Sequence, residues 1–218
     1  MAYKAIIAGA TGLIGSKLLQ ILLNEHVYDE IIILVRKSTG LKHDKLIEEV
    51  IDFDSLDTYT DMITGHAVFC CLGTTQKKTP DSSVYRKIDH DYPVKLAQLA
   101  FKNGVNQYHL VSALGANTSS PYFYTKLKGD TEADIKQVGL KCLHIYQPAL
   151  LTGDRKEYRL GEKIITPIMK LIDPLLFGSL KKYRSIPAQT VAMAMFNESI
   201  KNTDGVFTHP SDKIKQIA

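Results

Sequence analysis

The chain has 218 residues, 44% hydrophobic and 23% charged, and its 27 basic and 23 acidic residues leave a formal net charge of +4. That length can bury a full core as one domain over 1–218, and a mild charge spread along the sequence without a basic run argues against nucleic-acid or membrane-surface binding. No apolar stretch reaches the roughly 20 residues needed to cross a bilayer, so no transmembrane segment is expected. Met1-Ala2-Tyr3-Lys4 leads straight into apolar sequence without room for a signal peptide, and Cys70, Cys71 and Cys142 lie in apolar runs that suit buried thiols, so a cytoplasmic location is expected.

Ala5-Ile6-Ile7-Ala8 is an uninterrupted apolar run, the pattern of a strand buried on both faces. Gly9-Ala10-Thr11-Gly12-Leu13-Ile14-Gly15 follows, and then Leu18, Leu19, Leu22 and Leu23 recur at helical spacing as far as Asn24. Strand, glycine turn and helix in that order give a dinucleotide fingerprint its required context. Gly9 permits the tight turn, Gly12 lets backbone approach a pyrophosphate, and Gly15 lets the helix pack on the strand. The helix N-terminus offers amides to the phosphates, so the turn, with Thr11, Leu13 and Ile14, is expected to hold a dinucleotide cofactor.

Ile31 to Val35 reads as a second strand ending in Arg36-Lys37. An acid about 20 residues past the fingerprint selects NAD, whereas an arginine accommodates the extra phosphate of NADP. Arg36, able to make a bidentate phosphate contact, with Lys37 beside it, favours NADP(H) over NAD(H). Val50-Ile51-Asp52-Phe53 suggests a short third strand that places Asp52 either near an adenine edge or in an ordinary turn. Ala67 to Leu72 is a fourth strand, and its last residue Leu72 with Gly73, Thr74 and Thr75 after it suits a cofactor-contacting loop or simple turn chemistry. Gln76 to Ser83 reads as a mobile polar loop on the ligand side. A helix follows with Val94, Leu96, Ala97, Leu99 and Ala100 apolar, Pro93 in or near its first turn and Asn103-Gly104 at its end. Tyr108 to Val111 forms a fifth strand that delivers Ser112 at its carboxyl end, where ligands of open parallel sheets bind.

The next helix carries two tyrosine–lysine pairs at i, i+4, Tyr122 with Lys126 and Tyr124 with Lys128. Tyr124, Leu127, Ile135 and Val138 share an apolar face, while Tyr122 lies about 200° around the helix beside Lys126, Asp130 and Asp134. Tyr124 and Lys128 are therefore expected to point toward the sheet and Ser112. A buried cation beside a phenol stabilises its ionised form and lowers its pKa from about 10. Ser112, Tyr124 and Lys128 are the candidate catalytic residues.

These features resemble the short-chain dehydrogenase/reductases, in the atypical, extended-type branch, through Gly9 to Gly15, Ser112, and Tyr124 with Lys128. Within it the chain looks most like the Tat-interacting-protein oxidoreductase family, through Cys70 to Thr75, Val111-Ser112, Tyr124 through Lys128-Gly129 to Glu132, and Gln147-Pro148. The resemblance implies a doubly wound α/β fold of the Rossmann type, an NADP(H) cofactor touched also by Tyr124, Lys128 and Gln147, and a small substrate-side cap from residues 149–185. Two positions depart from the pattern. Asp89 stands where extended-type reductases often carry asparagine, and Gln147-Pro148 replaces the usual Arg-Pro, removing a cation near the cofactor.

Cys142 to Gln147 is the sixth strand. Beyond it, Ile164 to Phe177 is apolar and broken by Pro167 and Pro174, suiting core, a dimer face or a peripheral membrane contact; Thr190 to Ile200 reads as a helix and Val206 to Thr208 as a late strand. The seven histidines are scattered without ligand spacing, and Asp89, His90 and Asp91 diverge by about 100° per residue on a helix, so no metal site is expected. Two functions fit: an NADP(H)-dependent oxidoreductase acting on a small-molecule carbonyl or alcohol, and a cofactor-binding regulatory protein with little turnover. A homodimer or protein partner stays open in both.

Overall fold

A computed structural model of the protein describes residues 3–153, 176, 178–201 and 203–218. Seven strands form one sheet, all paired in parallel: β1 (Tyr3–Ala8), β2 (Tyr28–Val35), β3 (Leu46–Val50), β4 (Ala67–Cys70), β5 (Gln107–Val111), β6 (Cys142–Gln147) and, after the short strands β7 (Leu151–Thr152) and β8 (Ile186–Pro187), β9 (Gly205–Pro210). Their order is β3-β2-β1-β4-β5-β6-β9. The chain moves outward from β1 through β2 to β3, then returns to lay β4 on the other side of β1. Ligands of such sheets bind at that reversal, outside the carboxyl ends of the strands.

Successive side chains of a strand point to opposite faces, and here both faces are covered. Ile7, Ile31 and Ile33 meet Leu18 and Leu22 of α1 (Leu13–Asn24) and Val191 and Met195 of α5 (Ala188–Ser199). Ile6, Ala8, Ile32 and Leu34 pack with Leu96, Ala97 and Ala100 of α3 (Tyr92–Lys102) and Ile135 of α4 (Phe123–Gln137). Burial on both faces is why the central strands read as continuous apolar runs. The edge strand β3 is only half covered and carries Glu48 and Glu49, so its pattern is mixed. It lies earlier than the expected Val50–Phe53: Asp52 follows the strand and caps a 3-10 helix over Phe53–Met62.

The stretch read as a loop up to Ser83 ends sooner, because Asp81 accepts from the amides of Ser83 at 2.7 Å and Val84 at 3.4 Å and starts α2 (Ser82–Arg86). A π-helical turn over Lys87–Asp91 joins α2 to α3. Pro93 accounts for it. Proline has no N–H to give the carbonyl four residues back and its ring crowds that carbonyl, which here belongs to Asp89. The freed Asp89 carbonyl accepts from Thr131 Oγ1 at 3.1 Å.

Of the expected cap over 149–185, β7 (Leu151–Thr152) pairs with β8 (Ile186–Pro187), and a 3-10 turn spans Gly178–Tyr183. Residues 154–175 and 177, with most of the apolar segment, lie outside the described residues. The chain ends in α6 (Ser211–Ile217). Among the described residues no helix is long and apolar enough to cross a membrane.

Candidate active site and cofactor cleft

The glycine turn sits at the reversal of strand order. Gly9 has φ +87°, a conformation that favours glycine, and a side-chain carbon there would lie 2.5 Å from the carbonyl oxygen of Cys71, just past β4. A side chain at Gly15 would run into the Gly9 carbonyl, and the Gly12 amide closes the turn on that same oxygen at 3.0 Å. Gly12 is the N-cap of α1, no side chain caps this end, and no acid lies in the first turn. The first-turn amides thus have no side-chain acceptor, which fits a dinucleotide's diphosphate. Thr11 and Gly12 are exposed and Leu13 is half-buried. Ile14 and Gly15 are buried, so Ile14 gives its side chain to the core and only backbone to the cleft.

Arg36 and Lys37 project from the carboxyl end of β2, both exposed. The nearby carboxylate of Glu48 is taken by Ser38 Oγ at 2.5 Å and by the Thr39 amide at 2.8 Å, and among the described residues neither Arg36 nor Lys37 makes an ion pair. A phosphate would meet no competing acid bound to them. Asp52 accepts from the Asp54 amide and Ser55 Oγ, each at 3.0 Å, so its turn role is the one the structure holds.

Past β4, Leu72, Thr74 and Thr75 are partly buried and Gly73 is exposed. The Thr74 amide donates to Asp89 Oδ2 at 2.8 Å, and Thr75 accepts from the amides of Lys78 and Thr79, both at 2.9 Å. Asp89 also lies with Oδ1 3.0 Å from Lys128 Nζ, and the side chains are only 1% and 6% exposed. Burial pulls the Lys128 ammonium down, but Asp89 and then Tyr124 outweigh it and the net shift is upward. Lys128 was expected as a buried cation beside the phenol; the structure adds the carboxylate of Asp89, delivered by the π-turn. Lys126 faces the other way, paired with Asp130 at 2.7 Å near the surface.

Tyr124, Lys128 and Glu132 stand at successive turns along one face of α4. Tyr124 is 41% exposed, unlike Leu127 and Ile135, with which it was expected to face the sheet. It occupies the first turn, at the end of the helix, whereas Leu127 and Ile135 lie deeper along it. Tyr122 is the N-cap residue and 74% exposed. Ser112 is buried just past β5, its amide bonded to the Tyr146 carbonyl at 2.7 Å, and its hydroxyl donates to Glu132 Oε1 at 2.5 Å. Gln147 Nε2 donates to both Glu132 oxygens, at 2.9 and 3.0 Å. Gln147 thus reaches the site through Glu132. Gly129 lets the loop after β5 lie on α4, since a side chain there would strike backbone at Asn117 and Thr118.

In the sequence Glu132 carries no chemical signal beyond its i, i+4 relation to Lys128, and the histidines show no ligand spacing. The sheet aligns Phe69 with His109, His109 with His144 and His144 with Phe207, and the rings stack at 4.7, 4.8 and 4.9 Å. His144, Glu198 and His209 come together although no local spacing links them. His90 is held between Asp91 at 2.7 Å and Asp134 at 2.9 Å, while Asp89 turns to Lys128.

The NAD(P)H-binding family matches residues 9–170 of this chain. Protein HTATIP2 of Rattus norvegicus is 32% identical over 210 residues, 93% of this chain and 83% of that protein. The mitochondrial protein FMP52 of Candida albicans is 32% identical over 171 residues, 76% of this chain and 75% of that protein. Among solved structures, the Bordetella bronchiseptica enzyme WbmH in complex with NAD+ has a TM-score of 0.71 at 16% identity, covering 96% of this chain and 75% of that one, a likeness in fold alone. With a glycine turn suited to a dinucleotide and relatives that run nearly the whole length, the chain belongs to the NAD(P)H-binding family, in the branch that HTATIP2 represents.

Proposed function

We propose that the protein is an NADP(H)-dependent oxidoreductase of the short-chain dehydrogenase/reductase type, reducing a carbonyl or oxidising an alcohol. The observation that carries this reading is the ladder of Tyr124, Lys128 and Glu132 along α4, with Ser112 bonded to its last rung. The amides at the start of α1 would hold the diphosphate, and Arg36 with Lys37 the ribose phosphate. Leu72 to Thr75 would line the cofactor's other side. Bound nicotinamide supplies or accepts the hydride.

In the reducing direction Tyr124 gives a proton to the substrate oxygen and Lys128 holds the ribose. Ser112 orients the same oxygen. In the resting arrangement its only proton is directed to Glu132, so it must turn that proton toward the carbonyl. A proton on Glu132 would reverse the bond and free the serine to donate. The cytoplasmic location belongs to the same reading and rests on the three free cysteines; the fungal relatives carry "mitochondrial" in their names, and cell fractionation decides.

One observation favours the second function, a cofactor-binding regulator. Asp89 already neutralises Lys128, and Glu132 already holds the serine proton. The deciding experiment is a screen of aldehydes and ketones following NADPH absorbance, with NADPH affinity measured by calorimetry. Turnover that falls 10²–10⁴-fold in Tyr124→Phe at unchanged NADPH affinity, with Tyr122→Phe silent, supports the enzyme. Tight NADPH binding with no carbonyl reduced supports the regulator.

A further inference from the structure

Three side chains remote in sequence converge where the edge strand meets the sheet. His144 on β6 is fully buried, Glu198 reaches in from α5 and is 7% exposed, and His209 on β9 is partly buried. Strand register explains the meeting: His209 pairs with Tyr146, two residues beyond His144, making the histidines diagonal neighbours on one face. His144 Nδ1 lies 3.0 Å from His209 Nε2 and 4.0 Å from Glu198 Oε2, and all three donor atoms fall within 4.8 Å of one another. None of the three takes part in the cofactor cleft.

We propose that His144, Glu198 and His209 bind a divalent transition-metal ion, zinc being the first candidate, which clasps β9 and α5 to β6. Two imidazoles and a carboxylate are a donor set that zinc uses with one position left open. Metal–nitrogen bonds of about 2.0–2.1 Å place tetrahedral ligands roughly 3.3–3.4 Å apart. The observed separations of 3.0 and 4.0 Å lie on either side of that value, so modest side-chain rotation closes the set. The carboxylate is already oriented, because Lys201 Nζ holds the other oxygen, Oε1, at 2.8 Å. Ligation through His144 Nδ1 puts that ring's proton on Nε2, which is buried and has no hydrogen-bond partner among the described residues, so the case for the site rests on the convergence of the three donor atoms.

The test uses the full chain, stripped with chelator, desalted and titrated with zinc chloride by calorimetry, with bound metal counted by emission spectroscopy. One equivalent should bind, and at a hundredfold excess over the dissociation constant the thermal midpoint should rise by roughly 5–10 °C. His209→Asn and Glu198→Gln should each weaken binding at least tenfold and remove that rise, while NADPH affinity stays unchanged. His209 is only partly buried, so its variant keeps the test clear of misfolding at His144. A His26→Asn/His43→Asn double variant, altering two exposed histidines, should bind as the parent does. Absence of stoichiometric binding, or binding lost in that double variant and kept in His209→Asn, overturns the proposal and leaves a plain histidine–histidine hydrogen bond.

Discussion

Between β1 and α1 the cleft is made of backbone: a carbonyl, a left-handed glycine and a run of amides that no side chain caps. Between β5 and α4 it is made of side chains, and each is held by another from a distant part of the sequence. Lys128 meets Asp89, and Ser112 meets Glu132, which meets Gln147. The first construction fails by steric intrusion and should leave the rest of the fold intact. The second is a set of buried charges and hydrogen bonds, where removing one partner strands the other. Damage to the two ends should therefore separate binding from stability.

Gly12→Val should make the largest difference at the nucleotide end. Gly12 has φ −77°, which any residue adopts, and a first side-chain carbon there would sit 3.2 Å from the Gly9 carbonyl, tight but not prohibitive. The further methyls would occupy the phosphate position. NADPH binding by calorimetry should vanish while circular dichroism and the thermal midpoint stay close to the parent; normal binding by a folded variant would refute the site. At the side-chain end Asp89→Ala should cost about 3–5 kcal/mol, since it leaves a buried ammonium without its carboxylate. Asp89→Asn keeps the bond from the Thr74 amide and should lose less in chemical denaturation. Equal losses would mean that the charge on Lys128, rather than packing or the Thr74 bond, is what Asp89 supplies.

The same contrast explains what could be read in the sequence. Gly9, Gly12 and Gly15 are legible because a backbone site needs glycines at fixed short spacing beside one strand and one helix. Ser112, Tyr124 and Lys128 are legible as strand-end and helix-face positions. The bond between Lys128 and Asp89 is not, because it depends on Pro93 disturbing the helix four residues later and turning Asp89 inward. Glu132 reads as one more charged helix residue until β5 places Ser112 against it. The edge strand β3 escapes notice because half of it faces water. The histidine row escapes because register across four strands, and no local pattern, brings the rings together.

A middle-sized effect tests the nucleotide end without touching its glycines. Arg36→Ala should weaken NADPH by about 1.5–3 kcal/mol, the range for a hydrogen bond to a charged group. NADH, which lacks the extra phosphate, should bind the variant as it binds the parent. Raising the salt concentration should narrow the difference between the cofactors, because Arg36 is exposed and its charge is screened. Equal affinity of the parent for the two cofactors would remove Arg36 and Lys37 from the site.

The smallest effect lies away from both ends, in the histidine row. His109 is fully buried, with Nε2 3.0 Å from Gln107 Oε1 and Nδ1 3.1 Å from the Tyr146 hydroxyl. Glutamine can only accept through that oxygen, so His109 donates from Nε2 and receives the tyrosine proton at Nδ1. Burial holds its pKa well below 6.5, and the neighbouring His144 and His209 push the same way. The folded protein therefore takes up this proton less readily than the unfolded chain, whose histidines titrate near 6.5. The contribution is present in full above pH 6.5 and is lost as pH falls below that value toward the depressed pKa of the folded state. Each pH unit of that fall costs at most about 1.4 kcal/mol per histidine. Thermal melts in chelator at pH 7.5 and 5.5 should show the parent losing stability on acidification. His109→Gln removes one titrating ring and should show a shallower decline, its stability at neutral pH being lower from the altered packing. A variant whose decline matches the parent's would place the acid sensitivity elsewhere in the molecule.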